Sequence, residues 1–153
     1  MGPDLLKLFD FCDRKFGLKT VLTFAIKLID RVEAFHENSF VNRDIKPENI
    51  LIGRGKKENT IYMIDFGLSK RYICPRTGNH IKHKMEKGTI GTPEFLSLNG
   101  HQGGEQSRKD DLIAVGHVLV WLLKKGKLPW SKESFVEYDF NKSDSKQFEK
   151  QTK

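Results

Sequence analysis

The run Asn42-Arg43-Asp44-Ile45-Lys46-Pro47-Glu48-Asn49, followed downstream by Ile64-Asp65-Phe66-Gly67, constrains this chain more than any other feature. Between the two runs, Ile50-Leu51-Ile52 and Ile61-Tyr62-Met63-Ile64 read as short strands separated by the polar, glycine-containing stretch Gly53 to Asn59. A hairpin follows, with one polar loop at each border, and it brings Asn49 and Asp65 near each other. Two carboxylates, a lysine and a side-chain amide on neighbouring loops form the set needed to move a phosphoryl group from a nucleotide to a hydroxyl. Asp44 can orient the hydroxyl and accept its proton. Lys46 can offset charge that builds on the transferring phosphate. Asn49 and Asp65 offer hard oxygen ligands of the kind a magnesium ion prefers.

The remaining pattern is mainly helical. Leu5, Leu6, Leu8, Phe9 and Phe11 suggest a short amphipathic helix within residues 1–19. Thr20 reads as the N-cap of a second helix reaching about Asn38, with Val21, Leu22, Ala25, Leu28, Ile29, Val32 and Phe35 at helical spacing. From Leu68 to about Thr92 the composition turns polar and basic, which predicts a long, mobile segment beside the hairpin. Ser107 with Asp110 reads as a capping-box-like helix start. The helix from Asp111 to about Leu123 is apolar almost all round, so it is expected to be covered on every side. Phe135, Tyr138, Phe140 and Phe148 are the anchors beyond it, and 141–153 is expected to be a disordered polar tail.

Length and charge fix the class. The 153 residues fit one domain. A net charge of +7 can favour nucleic acid, anionic membranes or acidic peptides. No aromatic-interleaved binding motif accompanies it, so nucleic acid is not the expected partner and a solvated basic face is the simpler reading. The longest apolar run, Leu112 to Leu123, falls short of the roughly 20 residues a membrane helix needs and contains His117. Two separated cysteines, Cys12 and Cys74, and no signal-like segment suggest a reduced setting, cytoplasmic and/or nuclear. His80-x-x-His83 lacks further ligands at metal spacing, and Cys74 reads as an ordinary cysteine.

Four further motifs give the chain a family resemblance. Gly2-Pro3 precedes a leucine-rich helix, Ser97-Leu98-Asn99 stands where most protein kinases carry Ala-Pro-Glu, and Glu105-Gln106-Ser107-Arg108-Lys109-Asp110-Asp111 is followed by Leu128-Pro129-Trp130. With the two loops, residues 1 to about 131 resemble the C-terminal lobe of a eukaryotic-type protein kinase of the casein kinase I family. The resemblance implies an α+β fold, mainly α-helical, in which a short β-hairpin carries the catalytic and metal-binding loops. It implies a partial kinase domain over 1–140, with the N-terminal lobe absent: the sequence holds no glycine-rich loop before a strand and no Val-Ala-Ile-Lys strand.

By the same resemblance the chain is a serine/threonine kinase using ATP and Mg2+, with little activity alone; a non-catalytic truncated lobe acting as an interaction module is the alternative. Asp44 would be the catalytic base and Lys46 the phosphate-contacting cation. Asn49 and Asp65 would hold magnesium, while Leu51 would lie under adenine with Ile64 just before the metal-binding aspartate. Thr92 would orient Asp44 and the incoming hydroxyl. Asp111 would anchor the backbone of the catalytic loop. Arg43, Lys70 and Lys87 match positions that bind substrate phosphate or acidic groups. Two departures stand out: Asn42 replaces the usual histidine, and Glu94 replaces an arginine, where a carboxylate would repel a phosphorylated substrate. Expected partners are protein substrates with Ser/Thr, acidic ones among them, and either a missing N-lobe or a second copy meeting exposed apolar surface.

Overall fold

The computed structural model describes residues 1–85 and 88–131. Among these, helices α1 (Leu5–Phe11) and α2 (Leu18–Glu37) lead into strands β1 (Phe40–Val41), β2 (Ile50–Ile52), β3 (Ile61–Met63) and β4 (Lys70–Arg71), then helices α3 (Leu98–His101) and α4 (Arg108–Leu123). The expected tail at 141–153, the boundary at 140 and Lys87 lie outside the described residues.

Helix α1 spans the apolar run from Leu5 to Phe11, and Gly2 and Pro3 before it are extended against β2. The Gly2 N–H donates to the Ile52 carbonyl at 2.8 Å, and the Ile52 N–H donates to the Pro3 carbonyl at 3.0 Å. Asp4 then caps α1, its carboxylate accepting the Lys7 N–H at 2.8 Å. Helix α2 starts earlier than the expected Thr20 cap. Extended Gly17 is the N-cap, and its carbonyl accepts the Val21 N–H at 3.1 Å, which leaves Thr20 inside the first turn. Val21, Phe24, Ala25, Leu28, Val32 and His36 turn inward from α2 at spacings of three and four.

Ile50, Leu51 and Ile52 pair with Met63, Tyr62 and Ile61, so the hairpin forms as the alternation of strand and turn residues implies. The second strand ends one residue early, at Met63, yet the Ile64 N–H still donates to the Asn49 carbonyl at 3.0 Å. The segment expected to be wholly irregular after Leu68 contains β4, which pairs antiparallel with β1 through Phe40–Arg71 and Val41–Lys70. Strands of two residues leave no periodic trace in a sequence.

Ser107 and Asp110 close a capping box at the start of α4. Ala114, Val115, Val118, Trp121 and Leu122 are buried, and α4 packs against α2 and the turn at Pro93–Phe95. Cover is one-sided: Leu112, Ile113 and Leu123 remain 49, 40 and 48 % exposed, contrary to the all-round burial their apolarity suggests. The core joins α1, α2 and α4, with the Phe9 ring 5.0 Å from Trp121 and 4.9 Å from Phe16. Each such large side chain contributes roughly 1.5–3 kcal/mol by leaving water. This core fixes α2 and α4, and those helices fix the loops between them.

Candidate active site

The loop after β1 is held from outside by α4. Asp111, 2 % exposed, accepts the Asn42 N–H on Oδ2 at 2.7 Å and the Arg43 N–H on Oδ1 at 2.9 Å. His36 Nε2 lies 2.8 Å from Oδ2, and since a carboxylate can only accept, that nitrogen donates. Tyr72 fixes the end of α2, its hydroxyl donating to the His36 carbonyl at 2.8 Å. Arg43 adopts a left-handed backbone with φ of 70°. Such a conformation is unfavourable for a side chain with a Cβ and persists where surrounding bonds impose it. Buried Asn42 contributes next: its side-chain oxygen accepts the Asp44 N–H at 3.0 Å.

Both oxygens of Asp44 are thereby directed. Oδ1 accepts the Thr92 N–H at 3.0 Å and the Thr92 hydroxyl at 2.7 Å. Oδ2 meets Lys46 Nζ at 3.0 Å and accepts from Asn49 Nδ2 at 3.1 Å. Lys46 Nζ also donates to Thr92 Oγ1 at 3.0 Å, which closes a ring of three side chains. Burial would raise the Asp44 pKa, but the hydrogen bonds from Thr92 and Lys46 and the Lys46 charge outweigh it and hold the carboxyl below its ordinary value. Asp44 is therefore an ionised proton acceptor near neutral pH. Thr92 reaches it because Gly91, with φ of 108°, lies flat on the loop; a Cβ there would run into the Arg43 carbonyl oxygen.

The second loop starts where the hairpin ends. Asn49 Nδ2 donates to the Asp44 carbonyl at 3.0 Å as well as to its carboxylate, so the amide oxygen is the atom left for another ligand. Ile64, half-buried and bonded to the Asn49 carbonyl, delivers exposed Asp65 beside it. Asp65 is left-handed, with φ of 60°, and its Oδ1 accepts the Gly67 N–H at 3.1 Å. One amide oxygen and one carboxylate suit magnesium, which keeps waters and takes the rest of its shell from phosphates. They would not suit a closed all-protein site, and no group of three or more His, Cys, Asp or Glu with ligand geometry occurs among the described residues. Half-buried Leu51 pairs with Tyr62 and bridges to Asp4. Phe66 stacks on Phe35 at 5.1 Å.

Arg43 and Lys70, the two expected substrate-anion cations among the described residues, are engaged within the protein. Lys70 Nζ sits 2.7 Å from Glu105 Oε1, and Arg43 Nε donates to the Leu68 carbonyl at 2.6 Å. His80 Nδ1 bonds to the Ile81 carbonyl at 2.7 Å and His83 Nε2 to Asn99 Oδ1 at 3.0 Å. Cys12 and Cys74 are free and half-buried. Beyond Thr92 the chain is pinned by Asp110, which accepts from the Ser97 hydroxyl at 2.6 Å and from Asn99 Nδ2 at 3.2 Å. Trp130 Nε1 donates to the Glu94 carbonyl at 2.9 Å. Thr92, Glu94, Leu98, His117 and Trp130 line an open cavity of about 980 Å³ next to the Asp44 cluster.

Sequence reasoning on its own missed His36, Glu105 and the side-chain role of Asn42. His36 carried a readable signal, a polar ring at the inward spacing of α2. Glu105 carried none, because its partner is distant in the chain.

The arrangement is an ionised carboxylate beside a lysine, an amide oxygen on the same loop with a carboxylate on the adjoining one, and an aspartate on a helix holding the first loop from behind. Independently of that geometry, the family profile for the protein kinase domain matches residues 4–152. The chain belongs to the protein kinase family.

Proposed function

We propose that the chain is the C-terminal lobe portion of a serine/threonine protein kinase of the casein kinase I type, which moves the γ-phosphoryl group of ATP to a protein hydroxyl. The carrying observation is the fixed Asp44 carboxylate, with Thr92 on one oxygen and Lys46 and Asn49 on the other. Asp44 accepts the proton of the serine or threonine hydroxyl as its oxygen forms the new bond to phosphorus. Thr92 fixes the acceptor carboxylate and lines the cavity in which a polypeptide can lie. Lys46 offsets negative charge on the transferring group. Asn49 and Asp65 would hold magnesium, which when bound with ATP neutralises the phosphate oxygens and aligns the leaving group. Leu51 and Ile64, apolar and half-buried beside that pair, would support adenine.

The test is ATP-dependent phosphorylation of a serine- and threonine-containing protein by the wild type and by Asp44→Asn. Loss of a positioned general base costs about 10²- to 10⁴-fold. Phosphoserine or phosphothreonine formed by the wild type and absent with Asp44→Asn is expected. Equal incorporation by both would end the proposal.

A further inference from the structure

Helix α2 buries one face and leaves a second apolar face open. Leu18, Leu22, Ile26 and Ile29 stand 61, 55, 64 and 44 % exposed, against 0 and 1 % for Leu28 and Val32. At about 100° per residue these four fall within an arc of about 80°, a stripe along the first three turns of a helix about 30 Å long. Exposed Glu33 continues the stripe, and exposed Lys19 and Asp30 share one rim of it. Lys15 adds positive charge at the starting end of α2, and Glu37 adds negative charge at the other. Apolar side chains scattered singly on a surface need no explanation, but a contiguous stripe rimmed by charge marks a place of contact.

We propose that two copies of the chain meet on this stripe, their α2 helices antiparallel about a two-fold axis at the level of Phe24. Such an axis sets Leu22 against the partner's Ile26 and Leu18 against the partner's Ile29, and each contact recurs by symmetry. It sets Lys19 beside the partner's Asp30 on the same rim, and brings Glu33 toward the partner's Lys15. The charge order selects this occupant. The flank is basic where α2 starts and acidic where it ends, so the complement of the helix is the same helix reversed. Parallel pairing would oppose like charges. An anionic membrane surface attracts one sign of charge along the whole stripe, and the acidic half would repel it. The open side of α4 has no such order: Leu112, Ile113 and Leu123 are flanked by exposed Lys109, Lys124 and Lys125, so two copies would repel there. Four apolar side chains per copy cover less than the roughly 800 Å² per partner of a standard interface, which makes the dimer weak and reversible.

Sedimentation velocity of the full chain, between about 5 and 500 µM, tests this without ATP or turnover. The wild type should pass from monomer to dimer, with half-conversion on the order of 100 µM. Ile26→Glu alters an exposed position, so the fold should persist, but it places two carboxylates in the middle of the interface and should weaken the dimer at least about tenfold. Lys19→Glu should weaken it about fivefold or more. Adding Asp30→Lys to that same chain should restore association, because the exchanged charges again meet across the axis. A wild type that stays monomeric throughout would overturn the proposal, and so would a dimer that Ile26→Glu leaves unchanged. Failure of the paired exchange, Lys19→Glu with Asp30→Lys, to recover association would overturn it as well.

Discussion

Replacing Asp111 by alanine would remove the carboxylate that holds the loop before Asp44. Three donors lose their acceptor: the Asn42 N–H at 2.7 Å, the Arg43 N–H at 2.9 Å and His36 Nε2 at 2.8 Å. Hydrogen bonds to a charged group each contribute about 1.5–3 kcal/mol net, so simple addition gives roughly 4.5–9 kcal/mol. That sum overshoots, because water can enter the truncated site and satisfy part of the exposed N–H groups. Breaking a buried charge cluster by removing one partner typically costs about 3–5 kcal/mol, and the expected loss is ~4 kcal/mol. A domain of this length shifts its Tm by roughly 2–4 °C per kcal/mol, so a fall of about 8–16 °C is expected. The competing role for an acidic residue in the first turn of α4 is a dipole interaction, worth about 0.3–1 kcal/mol and screened by salt. Urea unfolding of the wild type and Asp111→Ala at low and high ionic strength separates the two. A loss below about 1 kcal/mol that vanishes in salt would refute the anchoring role.

Other consequences follow from the Asp44 cluster. Thr92→Val removes the 2.7 Å hydroxyl bond while burial persists, so the Asp44 pKa should rise. The sign follows: a carboxyl whose folded pKa lies below its unfolded value of ~3.9 adds stability above that pH and loses it as the pH falls through the folded value. In Thr92→Val the acid limb of activity and the carboxyl NMR titration of Asp44 should both move to higher pH; an unmoved midpoint would contradict this. Gly91→Ala should push Thr92 away from Asp44, because the new Cβ meets the Arg43 carbonyl. Activity should fall about 10²-fold or more with a change in Tm small beside that of Asp111→Ala, and retention of full activity would count against the close approach.

How much of this could be read from the chain varies by residue and for physical reasons. Hairpin residues 50–63 declare themselves because strand runs flank a polar turn, and Asp44, Lys46 and Asn49 fall in one loop by adjacency alone. The start of α2 was misleading: Thr20 has the chemistry of a cap, but extended Gly17 precedes it and begins the helix earlier. The β1–β4 pair is too short to carry a pattern. Contacts across long separations are the least legible. Lys70 meets Glu105 thirty-five positions away, and only the folded backbone reveals that the lysine is engaged. Helix α4 shows the opposite failure, an apolar sequence read as all-round burial although one side stays open among the described residues.

In the proposed function Asn49 and Asp65 form, beside an ionised Asp44, a place for a magnesium-bound nucleotide. Calorimetric titration of the chain with ATP, with and without Mg2+, measures it directly, using Asp65→Ala as the control. Binding that requires Mg2+ and weakens at least about tenfold in Asp65→Ala is predicted, in line with the loss of a charged ligand. Binding of equal strength without the metal, or unchanged in Asp65→Ala, would contradict the account.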